Sequence, residues 1–297
     1  MFFRVKYEYS VLEVNLMEER FLTKKTLEQF EQHLISDEKS KNTVEKYMRD
    51  VKMFYSFSEG REITKELAIA YKQKLVEAGY AVQSVNSMLA SMNSLFSFLR
   101  RYDCKVKALK HQRQIFCSED KELTKAEYIR LLSSAKQKKN ERLNLIIQTI
   151  CGTGIRVSEL HFITVEAAKT GGATVCCKGK IRTVLIVKEL KKKLLQYAKK
   201  QHITTGLIFV TRNGKPISRS NIWREMKALC DDANVNPSKV FPHNLRHLFA
   251  RTFYAVEKDI ARLADILGHS SINTTRIYII STGNEHRKRM ENMRLIV

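Results

Sequence analysis

A handful of polar side chains stand where a plain amphipathic helix has no use for them. Arg156 follows a glycine-flanked turn in CGTGIRVSEL, and Glu159, three residues later, is close enough on a helix to hold its guanidinium. His243, Arg246 and His247 crowd into PHNLRH just after Pro242. His243 and Arg246 are about one helical turn apart, so both can face one point. His269 sits in LGHSS, and Tyr278 follows nine residues on. Singly, each is ordinary: a surface arginine, a turn histidine, a tyrosine filling an amphipathic face. Jointly they make a set. Two arginines can hold both non-bridging oxygens of a phosphodiester and neutralise the charge of a pentavalent transition state. Histidines can donate to the same oxygens or relay a proton near neutral pH. A tyrosine hydroxyl can be the covalent nucleophile, although the ordinary phenol pKa near ~10 demands activation by cations or a base. A lysine can protonate the leaving alkoxide. Fixed cations replace Mg²⁺ in such chemistry, and no carboxylate cluster suited to Mg²⁺ stands out, so neither metal nor cofactor is expected.

Composition points the same way. In 297 residues, 53 Lys and Arg face 31 Asp and Glu, a net charge of +22. That fits poorly with a metabolic enzyme lacking an acidic partner. It points to a polyanion, most economically nucleic acid and less economically a membrane surface. A hydrophobic share of 43% rules out wholesale disorder, while 11 Gly and 3 Pro speak against collagen and turn-rich all-β folds. The charged opening MFFRVKYEYSVLEVN is no signal peptide, and no apolar run is long enough to span a membrane. Six cysteines without a CxxC read as reduced thiols, and the expected location is the cytoplasm.

The elements that must position these groups are mostly helical. Residues 1–22 are a poorly specified lead-in. Residues 23–102 carry four amphipathic helices, opened by Thr23, by Asn42 or Ser40, by Thr64 and near residue 81, with Gly79 placed as a C′ glycine. They can bury a core of their own. Residues 103–120 break the periodicity and read as a basic linker, either solvated or lying on phosphates through Lys105, Lys107, Lys110 and Arg113. Residues 121–297 form a second domain. Thr124 and Glu127 make a capping box, and a helix follows through ERLNLIIQTIC. VEAA, ATVCCK and RTVLIV read as three short strands. Helices are expected at 188–201, 219–233, 243–256, 259–267 and 272–280, with a basic tail helix at 284–297. The fold class is mainly α with one small antiparallel β-sheet.

The strings TGIRVSEL, HNLRHLFART and LGHSSINTTRIY, in that order, resemble the three signature boxes of the tyrosine recombinases, also called the phage integrase family. The resemblance covers the catalytic half from about 123 to 290. The amino-terminal helices resemble the family's SAM-like core-binding domain, which implies a two-domain clamp on DNA. It implies that Arg156 and Arg246 clamp the scissile phosphate and that His243 takes the proton of the nucleophile. It implies further that His269 hydrogen-bonds the phosphate and that Tyr278 forms a 3′-phosphotyrosine with a free 5′-hydroxyl. Glu159 and His247 support them. The family lysine lies on the turn between the second and third strands, usually in GKG. Here the string is CCKGKIRTV, with Cys177 in place of the first glycine and the turn about one residue shorter. Lys178 matches best as general acid to the 5′-oxygen, with Lys180 the rival.

The implied activity is site-specific recombination by transesterification on double-stranded DNA carrying a core site, with a homotetramer joining two sites and the tail docking on a neighbour. Integration and excision of a mobile element is the favoured role, with an excisionase as a possible partner. The alternatives are a dimer resolvase or DNA invertase of the same family, a type IB topoisomerase-like activity, or a DNA-binding regulator with vestigial chemistry. Some 22 residues before the first clear helix are too few for a separate arm-binding domain, so simple core-site recognition is expected.

The lysine assignment has a direct check. Sulfur in place of the 5′-bridging oxygen leaves without a proton. Lys178→Ala is expected to cleave ordinary DNA very slowly and to recover on the sulfur-substituted substrate, while Lys180→Ala shows little of this. The reverse pattern moves the general acid two residues along.

Overall fold

The computed structural model describes residues 20–110, 121–177, 180–278 and 291–293. The lead-in before residue 20, Arg113 with the rest of 111–120, Lys178 and nearly all of the expected tail helix lie outside them. The chain divides into two compact units, Met1–Arg113 and Gln114–Val297.

Among the described residues of the first unit, hydroxyl caps open three of four α-helices. Thr23 starts α1 (Lys24–Ser36) in a reciprocal cap with Thr26, Ser40 starts α2 (Lys41–Ser58), and Thr64 starts α3 (Lys65–Glu77). Each hydroxyl accepts a backbone N–H that the first turn leaves unpaired. The fourth helix, α4 (Val82–Phe98), has no such cap. Phe30, Val51, Phe54, Leu95 and Phe96 are fully buried among these helices. Phe54 meets Tyr71 and Phe96 edge-on, an arrangement that the ring quadrupoles favour.

The core does not end at residue 102. Tyr102–Cys104 form a single 3₁₀ turn, Cys104 and Val106 are buried, and Leu109 packs against the same cluster. Two asparagines of α4 hold this strap by both polar groups of a residue. Asn93 accepts from the Val106 N–H at 3.0 Å and donates to its carbonyl at 2.9 Å. Asn86 does the same with Leu109 at 2.7 and 3.0 Å. The Lys65 and Lys72 ammonium groups donate to the carbonyls of Lys105 and Lys107. The start of the expected linker is thus laid on the first unit, with Lys107 and Lys110 exposed and Lys105 half-buried beside the Tyr102 ring.

The second unit opens with α5 (Lys125–Gln137), started by the expected Thr124–Glu127 box, and α6 (Glu141–Thr153). Leu143, Ile146, Ile147 and Ile150 of α6 are fully buried. VEAA is not a strand. Val165–Thr170 is a short helix, α7, because Thr164 caps the Ala167 N–H and Gly171 closes it with a positive φ. Glu, Ala and Lys favour helix, and one valine does not outweigh them. The sheet is a two-stranded antiparallel hairpin, β1 (Gly172–Cys177) and β2 (Lys180–Leu185), with Gly172 opposite Leu185 and Cys177 opposite Lys180. Ala173, Val175 and Val184 face the core.

After the hairpin come α8 (Lys188–Lys200), α9 (Arg219–Lys227) and α10 (Cys230–Ala233). The last two replace one expected helix at 219–233, divided where the Leu229 N–H bonds the Met226 carbonyl in a tightened turn. Then follow α11 (Pro242–Glu257), α12 (Ile260–Leu267) and α13 (Ile272–Arg276), after which Ile277 and Tyr278 form a turn. Among the described residues, no helix is long and apolar enough to cross a membrane.

The strap gives a test. Asn93→Ala leaves the N–H and carbonyl of Val106 unpaired at a buried site, at a cost of about 1–3 kcal/mol. The urea midpoint of the first unit is expected to fall accordingly, and an unchanged midpoint shows that the strap contributes nothing.

Candidate active site

Four chain turns gather around Arg246, which stands at the start of a helix. The first turn closes α6. Gly154 has φ +64°, and a Cβ there would lie 2.5 Å from Phe249 Cδ1, so only glycine fits without a shift. Its carbonyl accepts from Arg246 Nη1. The next turn of chain is a 3₁₀ segment, Val157–Phe162, which places Glu159 back over Arg156. Glu159 Oε1 takes the Arg156 guanidinium at 2.9 Å, and Oε2 takes the Arg156 backbone N–H at 3.0 Å. Arg182 of β2 gives the carboxylate its third donor and Oε2 its second, at 2.6 Å. Burial of Glu159 opposes its ionisation, but the Arg156 hydrogen bonds and the Arg182 charge win, and its pKa is held below the ordinary carboxylate value.

The helix start is that of α11. Pro242 takes the first helical position, where a missing N–H costs nothing. Asn244 anchors the first turn to the carbonyls of Lys121 and Lys239. This sets His243, Arg246 and His247 on adjoining faces. Arg246 is 1% exposed. Besides Gly154 it donates to the Leu267 carbonyl at 2.7 Å and to His269 Nε2 at 3.0 Å. Among the described residues its buried Nε has no partner.

The remaining turns follow α12 and α13. Gly268, at φ +65°, ends α12 and delivers His269. Its Nδ1 lies 2.8 Å from Thr275 Oγ1. A guanidinium can only donate, so Nε2 is the acceptor, and the neutral ring carries its proton on Nδ1, bonded to Thr275. Tyr278 is 6% exposed, and its hydroxyl stands 3.4 Å from His243 Nε2. Its ring lies against His247 and His269, with centroids 4.3 and 5.3 Å away.

Arginine charge and burial set the protonation states. Burial and Arg156 lower Arg246 to about 10, with Tyr278 opposing, so it stays charged at neutral pH. His247 is brought down to about 4 by burial, then His243 and Arg246. His269 is also brought down to about 4, by burial, then Arg246 and Arg156. His243 is lowered by burial, then by Arg246, Arg156 and Arg219. A neutral imidazole at His243 can accept a proton from the hydroxyl that faces it.

The structure therefore brings together Arg156, Glu159, His243, Arg246, His247, His269 and Tyr278. Lys178 lies outside the described residues, on the connection between β1 and β2. Lys105, Lys107 and Lys110 belong to the first unit. Sequence reasoning missed Arg182, Thr275 and Arg219. Arg182 left a signal: it shares the inward-facing alternation of β2 with Val184, continued by Ile186 just past the strand, where a charge needs partners. Thr275 and Arg219 left none.

Comparison with known proteins gives one result throughout. Residues 121–285 match the model described as the phage integrase family, and residues 27–102 match that of the phage integrase N-terminal SAM-like domain. Tyrosine recombinase XerA of Pyrococcus horikoshii is 31% identical over 285 residues, covering 94% of this chain and 96% of that protein. A lambda integrase dimer bound to a COC′ core site superposes with a TM-score of 0.70 at 17% identity, over 90% of this chain and 80% of that one. A lambda integrase tetramer bound to a Holliday junction gives 0.69 at 18% identity, over 86% and 76%.

Neutral buried histidines make stability pH-dependent. The folded pKa values of His247 and His269, about 4, lie below the ordinary 6.5, so between these values the unfolded chain binds more protons. Their contribution is complete above pH 6.5 and is lost as the pH falls towards 4. The urea midpoint is expected to drop from pH 7 to pH 5, with a shallower drop in His247→Gln. Identical slopes for variant and parent would refute this origin.

Proposed function

The chain belongs to the phage integrase family and is a site-specific tyrosine recombinase; on that premise we propose how its own residues cut and rejoin DNA. Tyr278 attacks the scissile phosphorus, and His243 Nε2 takes the hydroxyl proton. Arg156 and Arg246 hold the non-bridging oxygens and neutralise the charge that builds on them. Lys178 protonates the departing 5′-oxygen. The covalent 3′-phosphotyrosine conserves bond energy, so a second 5′-hydroxyl can reverse the step on another strand. The observation that carries this reading is the Tyr278 hydroxyl facing a neutral His243 beside a buried Arg246 whose Nε–H has no partner among the described residues.

His269 has a particular part in it. In the free protein its Nε2 accepts from Arg246. Once a phosphate oxygen takes that donor, the ring can carry its proton on Nε2 and give it to the phosphate. The Thr275 hydroxyl permits the change, since it can accept from Nδ1–H or donate to bare Nδ1. Glu159 fixes Arg156, and His247 packs the Tyr278 ring.

Both units bind the duplex in this reading, the first through its exposed Lys107 and Lys110 together with Lys105 and Arg113. Four copies join two core sites, as the lambda integrase tetramer is joined on its junction. The biological role we favour is integration and excision of a mobile element, with an excisionase setting direction. The likeness to XerA favours the second reading, a resolvase of DNA dimers.

The test is a nicked suicide duplex carrying the DNA that flanks the gene. The protein is expected to become attached to the 3′ end through Tyr278, while Tyr278→Phe binds the same duplex with affinity within about threefold and is not trapped. Attachment of the Tyr278→Phe protein would overturn the assignment. The products on circular plasmids then separate the roles: an excised circle, an inverted segment or a monomerised dimer.

A further inference from the structure

We propose that Arg182 is a positioning residue of the strand-cutting site, locking Glu159, and through it Arg156, to the turn that presents His269. The proposal rests on the reading of Arg156 and His269 as phosphate-binding groups. Arg182 leaves β2 with its side chain 13% exposed and reaches two elements at once. One nitrogen gives 2.6 Å to Glu159 Oε2, and the other gives 2.8 Å to the carbonyl of Ile266 at the end of α12. The stem between them lies against Gly268, where a Cβ would overlap Arg182 Cδ. The residue next to Gly268 is His269. The end of α12 is therefore capped by two guanidinium groups, Arg182 on Ile266 and Arg246 on Leu267. Helix C-termini favour cations there, because their last carbonyls are unpaired and the dipole is negative.

Charge explains why a second arginine is needed. Glu159 is buried and ionised, and it has to be neutralised by something. With Arg182 present, Oε2 is shared, and Arg156 keeps donors and net charge for a phosphate. Without it, the cation that remains bonded to Glu159 among the described residues is Arg156, which is drawn inward. The same loss frees the Ile266 carbonyl and the turn that follows it. β2 also begins at Lys180, directly after the connection that carries Lys178, so Arg182 ties the lysine-bearing hairpin to the arginine and histidine side of the site.

The test uses the full-length protein on suicide DNA at saturating concentration, reading single-turnover cleavage and DNA affinity separately. Arg182→Ala is expected to slow cleavage by on the order of 10²-fold, the size of effect that an ångström of misplacement produces. Affinity should change by less than about threefold. Arg182→Lys keeps the charge without the fork and should fall between the two, which also keeps the test informative if Arg182→Ala folds poorly. In a Glu159→Gln background the cost of Arg182→Ala should shrink by about tenfold, because there is no charge left to share, and what remains is the part due to the Ile266 carbonyl. Additive effects of the two substitutions, or equal losses of affinity and cleavage, overturn the proposal. Arg156→Ala reports on the underlying reading by itself. If it leaves cleavage intact, the roles of the site are wrong; if it abolishes cleavage while Arg182→Ala does not slow it, only Arg182 has been misplaced.

Discussion

A guanidinium cannot leave water unless acceptors are waiting for it, and Arg246 has left water almost completely. That requirement organises the second unit. Its acceptors are backbone carbonyls at the ends of two helices, Gly154 after α6 and Leu267 in α12, with His269 as a third. The carbonyls are available because both helices stop at residues with positive φ, each a glycine pressed against a neighbour. The charge then acts on its surroundings. It helps to keep His243 and His269 neutral, and it opposes the protonation of His247. Burial first, and this cation second, thus leave the imidazole beside Tyr278 without a proton and able to accept one.

Much of this was legible in the residues. A capping hydroxyl acts within three residues of itself, so Thr23, Thr64 and Thr124 could be read as helix starts from local chemistry alone. The second helix had two candidates, and Ser40 takes the place because its hydroxyl reaches the Thr43 N–H. His243 and Arg246 could be paired through helical spacing, and Arg156 with Glu159 through three-residue proximity. VEAA misled because three short apolar stretches in a row look like strands, and a four-residue window has too few positions to separate the two periods.

The rest was illegible for a physical reason. Arg182 finds its acceptors 23 and 84 residues away, on elements whose approach no local pattern encodes. Thr275 looks like any threonine in a short helix until a histidine arrives from the preceding turn. The same holds for Asn86 and Asn93. An asparagine in a helix usually faces water, and only a second segment laid alongside gives it backbone to hold.

That segment has a consequence for how the chain can vary in length. Asn86 and Asn93 are seven residues apart on a helix, a rise of about 10.5 Å. Their partners, Leu109 and Val106, are three residues apart, and three extended residues span about 10 Å. The two repeats coincide once, in antiparallel sense, and this is where the strap is fastened. Adding or removing a residue between 106 and 109 would put one amide opposite a wrong backbone group and turn its neighbours over. Insertions and deletions accepted among relatives should therefore fall outside this interval, and the chain keeps count across it.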